Sequence, residues 1–172
     1  MKTIVWSVLA LFALLFVHKS NASNIPIGVG DELVIVVFNE PELTFDARIG
    51  ESGAIKFPLI GQLDVVGKTP QDVTQELTTL LGADYLVSPQ VSVTIKKYRP
   101  FYIKGEVKLA GAYEYVIGLT VDQAIAIAGG LSQRASTSKW EIVRGLDKQT
   151  FVATAETAVL PGDIIQIPES FF

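Results

Sequence analysis

The hydrophobic positions along this chain alternate between the period of two that is typical of strands and the period of three to four that is typical of helices. Residues 32–38, ELVIVVF, form a nearly continuous β-branched run, which predicts a buried strand. Val91, Val93 and Ile95 alternate with polar residues, which predicts a strand with one buried face over residues 90–97.

Between these two strands, residues 45–49 and 54–57 lie on either side of the Glu-Ser-Gly sequence at residues 51–53. Two short β-rich runs around such a turn predict an antiparallel hairpin in which Gly53 has a positive φ. A further short strand is predicted over residues 63–66.

The first helix is predicted to begin after Thr69. Thr69 can cap the helix, Pro70 suits its first position, and Asp72 lies in the first turn, where a carboxylate favours the helix dipole. Gly82 is the predicted end of this helix. The buried face is predicted from four apolar residues at helical spacing: Val73, Leu77, Leu80 and Leu81.

A second compact unit occupies residues 101–131. Its β-rich runs, residues 101–107 and 112–116, predict an antiparallel hairpin with Gly105 and Gly111 beside the turn. The unit therefore begins with a hairpin, and a helical pattern makes up its second part.

Thr120 can cap this second helix, Gln123 completes a capping box, and Gly129 and Gly130 are predicted to end it. Its apolar face is predicted from four residues: Ala124, Ile125, Ile127 and Ala128. After a polar loop, three more strands are predicted, at residues 139–144, 150–155 and 163–167.

One short pattern occurs in both parts of the chain. Gly30-Asp31 precedes the first strand and Gly162-Asp163 precedes the last one, and a glycine lies two residues before each helix cap. The sequence therefore predicts an α+β protein of two modules, each a small sheet crossed by one helix. The residues predicted to have structural roles in turns are Gly30, Asp31, Gly53, Gly105, Gly111, Gly129, Gly130, Gly162 and Asp163.

The first 22 residues have the pattern of a secretory signal. Met1 and Lys2 form a short basic start, an apolar stretch over residues 4–17 follows, and small residues end at Ala22. The stretch is short for a membrane-spanning helix, so a signal cleaved after Ala22 is favoured over an uncleaved anchor. We expect an exported mature chain of residues 23–172.

Charge and missing residue types exclude several functions. Removing Lys2 and Lys19 leaves 12 basic against 18 acidic residues, a net charge of −6, so no nucleic-acid partner is expected. The sequence has no cysteine that could carry a lipid, and its single histidine, His18, lies in the signal. The mature chain lacks Ser-His and Cys-His nucleophile pairs and the usual zinc, copper and haem ligands, so no cofactor and no metal are expected.

A set of motifs lies in a fixed order along the chain. Those of the first part are residues 28–33 (GVGDEL), 38–43 (FNEPEL), 53–61 (GAIKFPLIG) and 89–93 (PQVSV). Those of the second part are residues 105–107 (GEV), 111–113 (GAY), 128–130 (AGG) and 161–163 (PGD). Together they resemble the polysaccharide biosynthesis/export family of bacterial periplasmic and outer-membrane proteins.

The resemblance implies two domains. Residues 23–98 resemble the polysaccharide-export domain, a small mixed sheet with one helix, and residues 99–172 resemble a soluble-ligand-binding β-grasp domain. Family members often have proline where Val29 and Ala110 stand here, and both are tolerant turn positions. Larger relatives also carry a lipidated cysteine, several β-grasp repeats and a C-terminal pore helix, so this sequence resembles the short class without a pore of its own.

The implied function is that of a periplasmic component of a capsule or exopolysaccharide export machine, peripheral to the outer membrane and without enzymatic activity. The implied partners are a polysaccharide, further copies in a homo-oligomeric ring, an inner-membrane chain-length or co-polymerase protein, and a separate outer-membrane pore protein. The candidate contacts with polysaccharide or neighbouring subunits are Tyr98, Arg99, Tyr102, Tyr113 and Tyr115. For each tyrosine the alternative is cross-strand packing, and for Arg99 it is a strand end beside a proline hinge.

Two other functions remain open. One is a periplasmic binding protein for a soluble ligand or sugar, and the other is a polysaccharide-cleaving enzyme. The enzyme would draw on Glu40, Glu42, Asp46 and Glu51, because glycosidases need two carboxylates roughly 5 to 10 Å apart. The aspartates of the two Gly-Asp turns are expected to bond local backbone, since calcium takes about six to eight oxygen ligands.

Overall fold

The computed structural model describes residues 25–145 and 147–170. The predicted signal over residues 1–22 and its cleavage site after Ala22 lie outside the described residues. The described chain contains two small sheets, each packed against one helix, together with a separate two-stranded hairpin. This arrangement confirms the predicted α+β class.

The first half of the fold comprises five strands, a short 3-10 helix (Pro41–Leu43) and one long helix. In chain order its regular elements are β1 (Glu32–Val37), β2 (Phe45–Arg48), β3 (Ala54–Phe57), β4 (Gly61–Asp64), α1 (Pro70–Asp84) and β5 (Val91–Lys97). Strand β1 lies between β2 and β5 and is antiparallel to both. Its alternate side chains, such as Leu33 and Ile35, are fully buried, as the apolar run predicts.

The hairpin predicted between residues 45–49 and 54–57 is wrong. Strand β2 pairs with β1 instead, and β3 pairs with β4. Gly53 has the expected positive φ of 72°, but its carbonyl oxygen accepts hydrogen bonds from the N–H groups of Val65 and Val66. The turn therefore leads the chain from one sheet into the other rather than closing a hairpin.

Helix α1 begins as predicted, with Thr69 and Asp72 forming a reciprocal capping box. Two details are corrected. Gly82 lies inside the helix, which continues to Asp84, and Leu80 is 37% exposed. Because the Thr74 hydroxyl accepts a hydrogen bond from the Val93 N–H of β5, the sheet-facing stripe is displaced toward Thr74 and Leu80 is left at its rim. The buried residues of the helix are Val73, Leu77 and Leu81.

The second half comprises a five-stranded mixed sheet and one short helix. In chain order its elements are β6 (Phe101–Gly105), β7 (Gly111–Tyr113), α2 (Val121–Ile127), β8 (Trp140–Arg144), β9 (Gln149–Ala153) and β10 (Ile164–Ile167). The strand order is β7-β6-β10-β8-β9, in which only the β6–β10 pair is parallel. A helix packed on a mixed sheet of this order is consistent with the β-grasp prediction, and the β6–β7 hairpin is confirmed.

Helix α2 has the predicted capping box between Thr120 and Gln123. Its buried face contains Ala124, Ile125 and Ala128, but Ile127 is 49% exposed, contrary to expectation. Val121, which was not predicted to pack inward, is fully buried. At 100° per residue Val121 lies between Ile125 and Ala128 on the helix surface, whereas Ile127 points well away from that face.

The two halves have separate hydrophobic cores. Among the described residues, no strand or helix of one half packs extensively on an element of the other. The halves are connected by residues 25–28 and by residues 98–100. We call residues 98–100 the linker. Ile25 and Tyr98 both pack against the core of the second half.

We predict that Gly105→Ala destabilises the protein by about 2 to 4 kcal/mol. Gly105 has a φ of 91°, and an added Cβ would lie 2.1 Å from the carbonyl oxygen of Ile167 on β10, so the parallel β6–β10 pair would have to separate. Urea unfolding of both proteins measures the difference. Gly111→Ala is the matched control, because no atom lies within 4 Å of its added Cβ; equal losses in the two variants would contradict the prediction.

Candidate functional site

A cleft of about 330 Å³ lies where the two halves meet. First-half strands contribute Glu32 and Arg48, and the linker contributes Tyr98 and Pro100. The remaining residues of its lining are Gly30, Lys97, Ala112, Tyr113 and Glu114. The cleft is therefore built from residues that are far apart in the sequence.

A second groove, of about 470 Å³, adjoins the first, since Lys97, Tyr98 and Glu114 line both. Its other lining residues are Ile95, Lys96, Tyr115, Val116 and Ile117. We call the two together the junction groove. Sequence reasoning missed Val116, the last residue of the predicted run 112–116, and Ile117, which follows it; they are 61% and 60% exposed.

Three of the predicted contact residues, Tyr98, Tyr113 and Tyr115, come together in the junction groove. Tyr98 packs edge-to-face against Tyr115, with ring centroids 5.3 Å apart. Tyr113 stacks on the buried ring of Phe101 at 5.9 Å, and its hydroxyl donates to the carbonyl oxygen of Leu109. Each ring is thus packed against another ring; Tyr98 and Tyr113 are half-buried, whereas Tyr115 is only 7% exposed.

Charges around the groove occur in opposite pairs. The Lys97 ammonium lies 3.5 Å from the Glu114 carboxylate, and Lys96 lies 2.5 Å from Asp46. All four side chains are more than half exposed, so each pair contributes little to stability. The groove therefore carries charged groups without a large excess of either sign.

The two other predicted contact residues do not line the groove. Tyr102 is 44% exposed on the outer face of the second sheet, beside Ala112 and Ile164 of the adjacent strands. Arg99 is directed inward, with its side chain 25% exposed and its guanidinium 2.8 Å from the Asp31 carboxylate. The contact roles of all five residues stay predictions.

Asp31 is fully buried and well supplied with donors. Its carboxylate accepts hydrogen bonds from the Gly28 N–H at 2.8 Å, the Arg99 N–H at 2.6 Å and the Arg99 guanidinium. The Gly28 bond is the local backbone bond expected of an aspartate in such a turn. The sequence gives no signal that Arg99 pairs with Asp31, because the two residues are 68 positions apart.

The four acidic residues weighed for glycoside cleavage do not gather in the groove. Glu42, Asp46 and Glu51 are exposed, Glu40 is half-buried, and none of the four lines the junction groove. Within residues 25–145 and 147–170, no three carboxylate or histidine side chains cluster as metal ligands would. No helix in this part of the chain has the length and apolar character to cross a membrane.

The fold and its motifs define a class of protein. The family described as polysaccharide biosynthesis/export protein matches residues 19–96, and the SLBB domain family matches residues 100–150. Together the two matched segments cover most of the chain. The chain belongs to the polysaccharide biosynthesis/export family.

Curated relatives carry names from exopolysaccharide production and export. The chain is 36% identical over 88 residues to the exopolysaccharide production protein ExoF of Rhizobium meliloti, which covers 50% of this chain and 21% of that protein. It is 29% identical over 153 residues to the EPS I polysaccharide export outer membrane protein EpsA of Ralstonia solanacearum, and 27% identical over 186 residues to EpsA of Ralstonia nicotianae.

The two EpsA alignments cover 73% and 87% of this chain. They cover only 40% and 49% of the relatives themselves. The chain thus spans about half the length, or less, of the curated relatives that it matches.

We predict that Tyr115 makes stability depend on alkaline pH. Burial raises the pKa of the Tyr115 hydroxyl above its ordinary value of about 10. Above about pH 10 the unfolded chain releases this proton while the folded chain keeps it, so the free energy of unfolding falls as pH rises.

Urea unfolding from about pH 9 to about pH 11.5 measures this slope in the parent and in Tyr115→Phe. The phenylalanine variant lacks the ionisable group, so its stability should fall less steeply over that range. Parallel curves for the two proteins would contradict the prediction.

Proposed function

We propose that this protein is a periplasmic component of an exopolysaccharide export machine, in which it acts as a passive conduit or adaptor. The observation that carries the proposal is the junction groove, an open surface depression between the two halves that is lined by the half-buried Tyr98 and Tyr113, with the largely buried Tyr115 behind Tyr98. We propose that Tyr98, Tyr113 and Tyr115 contact the passing polymer there. In this role Tyr102 contacts polymer or a neighbouring subunit from the outer sheet face.

The shape of the groove supports transient contact rather than capture. A conduit must release its cargo at every step, so shallow stacking on aromatic rings serves it better than an enclosed pocket. Tyr98 and Tyr113 are half-buried, which leaves part of each ring accessible to a sugar. Exposed ion pairs such as Lys97–Glu114 can exchange partners with polar groups of a polymer at little cost.

Assembly into a homo-oligomeric ring is part of the proposal. In the described part of the fold, β2, β7 and β9 are sheet edges whose outer backbone groups have no partner strand. Closing a ring by pairing such edges would satisfy these groups. We propose an inner-membrane chain-length protein and a separate outer-membrane pore protein as further partners, with the protein peripheral to the outer membrane.

The two proposed domains correspond to the two halves of the fold. We propose that residues 23–98 form the polysaccharide-export domain and residues 99–172 the soluble-ligand-binding β-grasp domain. The separate hydrophobic cores support such a division. Tyr98 then lies at the boundary, where both domains contribute to the groove.

We predict that Tyr98→Ala lowers polysaccharide secretion several-fold in a deletion strain complemented with the variant. The substitution removes the ring shared by both parts of the groove. Tyr85→Ala is the matched control, because Tyr85 is 48% exposed at the end of α1 and outside the groove. Immunoblots confirm equal protein levels. Normal secretion in the deletion strain itself would refute a role in export.

We further predict that fragments of the secreted polymer bind weakly and shift NMR signals of groove residues first. Titration of the labelled protein measures both the affinity and the location. A single tight site with one ligand per chain, and no oligomer by native mass spectrometry, would instead favour a periplasmic binding protein. Shortening of the fragments during the titration would favour an enzyme.

A further inference from the structure

Each half of the fold contains the same arrangement of a buried aspartate and an arginine. A buried aspartate precedes the central strand of each sheet: Asp31 precedes β1 and Asp163 precedes β10. The Asp163 carboxylate accepts hydrogen bonds from the Leu160 N–H at 2.7 Å and from the Arg144 guanidinium at 2.7 and 2.9 Å. Asp31 likewise binds an N–H group three residues earlier and one arginine.

The two arginines differ in where they come from. Arg144 ends β8, which is the antiparallel neighbour of β10, and it also donates to the Ala158 carbonyl oxygen, so it stays within the second half. Arg99 lies in the linker, two residues beyond the end of β5. Its guanidinium therefore connects the first half to the start of the second.

Glycines on both sides leave room for the Arg99 side chain. A Cβ added to Gly28 would lie 2.3 Å from Arg99 Nη1 and 2.4 Å from Cζ. A Cβ added to Gly162, in the other half, would lie 2.9 Å from Arg99 Nε. The guanidinium thus occupies a slot between the two Gly-Asp turns, one from each half.

Few other contacts hold the halves at a fixed angle. Among the described residues, the direct side-chain contacts across the junction include the exposed Lys97–Glu114 pair and the packing of Tyr98 on Tyr115. An exposed ion pair fixes little, and no broad packed interface adds to it. The Arg99–Asp31 pair is the ion pair of the junction that is shielded from solvent. A second buried connection comes from Ile25, which packs in the core of the second half while Ile27 packs in that of the first.

We propose that the Arg99 guanidinium is a latch that fixes the angle between the two halves, and so the width of the junction groove, and that it can be released without unfolding either half. Asp31 would keep two backbone donors, the N–H groups of Gly28 and Arg99, after the guanidinium left. Each half would keep its own core.

Gly28→Ala is the decisive variant. The backbone of Gly28 does not have a positive φ, so alanine fits there without backbone strain. The atoms that its methyl group would meet are the end of a flexible side chain, which can move out of the slot. Gly50→Ala is the matched control, since Gly50 has no positive φ and no atom within 4 Å of an added Cβ.

The absence of cysteine from the sequence allows a direct distance measurement. Spin labels on Gln75→Cys in α1 and Val152→Cys in β9, both exposed positions, report the distance between the halves by pulsed electron paramagnetic resonance. We expect Gly28→Ala to widen the distance distribution at least about twofold with an unchanged circular dichroism spectrum. Gly50→Ala should match the parent.

Two outcomes would overturn the latch. An unchanged distribution in Gly28→Ala would show that Arg99 does not set the angle, and loss of folding in that variant would show that the latch cannot be released. As a second pair, Arg99→Lys should widen the distribution and Arg144→Lys should not; equal effects would assign no special role to Arg99. The measurement needs no polysaccharide, so its result is independent of the proposed function.

Discussion

The burial of two carboxylates constrains the whole fold. Asp31 and Asp163 are at most 1% exposed, and a buried carboxylate is costly unless hydrogen bonds or an opposite charge compensate for its removal from water. Each takes one donor from its own turn and others from an arginine at or beyond the end of a neighbouring strand. A single requirement thus fixes a turn, the start of a central strand and the register of the strand beside it.

The same requirement places the junction groove. The linker is bound to both Gly-Asp turns, because Arg99 contacts Asp31 and the Pro100 carbonyl oxygen accepts the Gly162 N–H. The start of β6 adds a bond from the Tyr102 N–H to the Asp163 carbonyl oxygen. Tyr98, immediately before Arg99, is therefore held against Tyr115 by bonds that do not involve its own side chain. The position of the aromatic wall follows from the buried charges.

Local chemistry could be predicted from the sequence, and strand partners could not. Both capping boxes, at Thr69 and Thr120, follow from residues three positions apart. The hairpin predicted over residues 45–57 is wrong because β2 pairs with β1, where Ala47 lies opposite Leu33. Which strand becomes the partner is decided by tertiary packing, which the local sequence does not show. Leu80 and Ile127 were misassigned for a related reason, since the sheet decides which side of a helix is buried.

For the candidate site, too, the sequence identified single residues but not how they come together. The tyrosines were visible in the sequence as single aromatic residues on strands, where cross-strand packing is the ordinary role of any one tyrosine and glycan contact is the alternative. The structure shows the packing, since Tyr113 stacks one side of its ring on Phe101, and it also places Tyr113 in the lining of the open groove. With the neighbouring lysines paired to Asp46 and Glu114, a polymer in this groove would be met mainly by ring faces and balanced charges. Such a surface favours weak contact with many sugars over tight selection of one, which is the property that the proposed passive role requires.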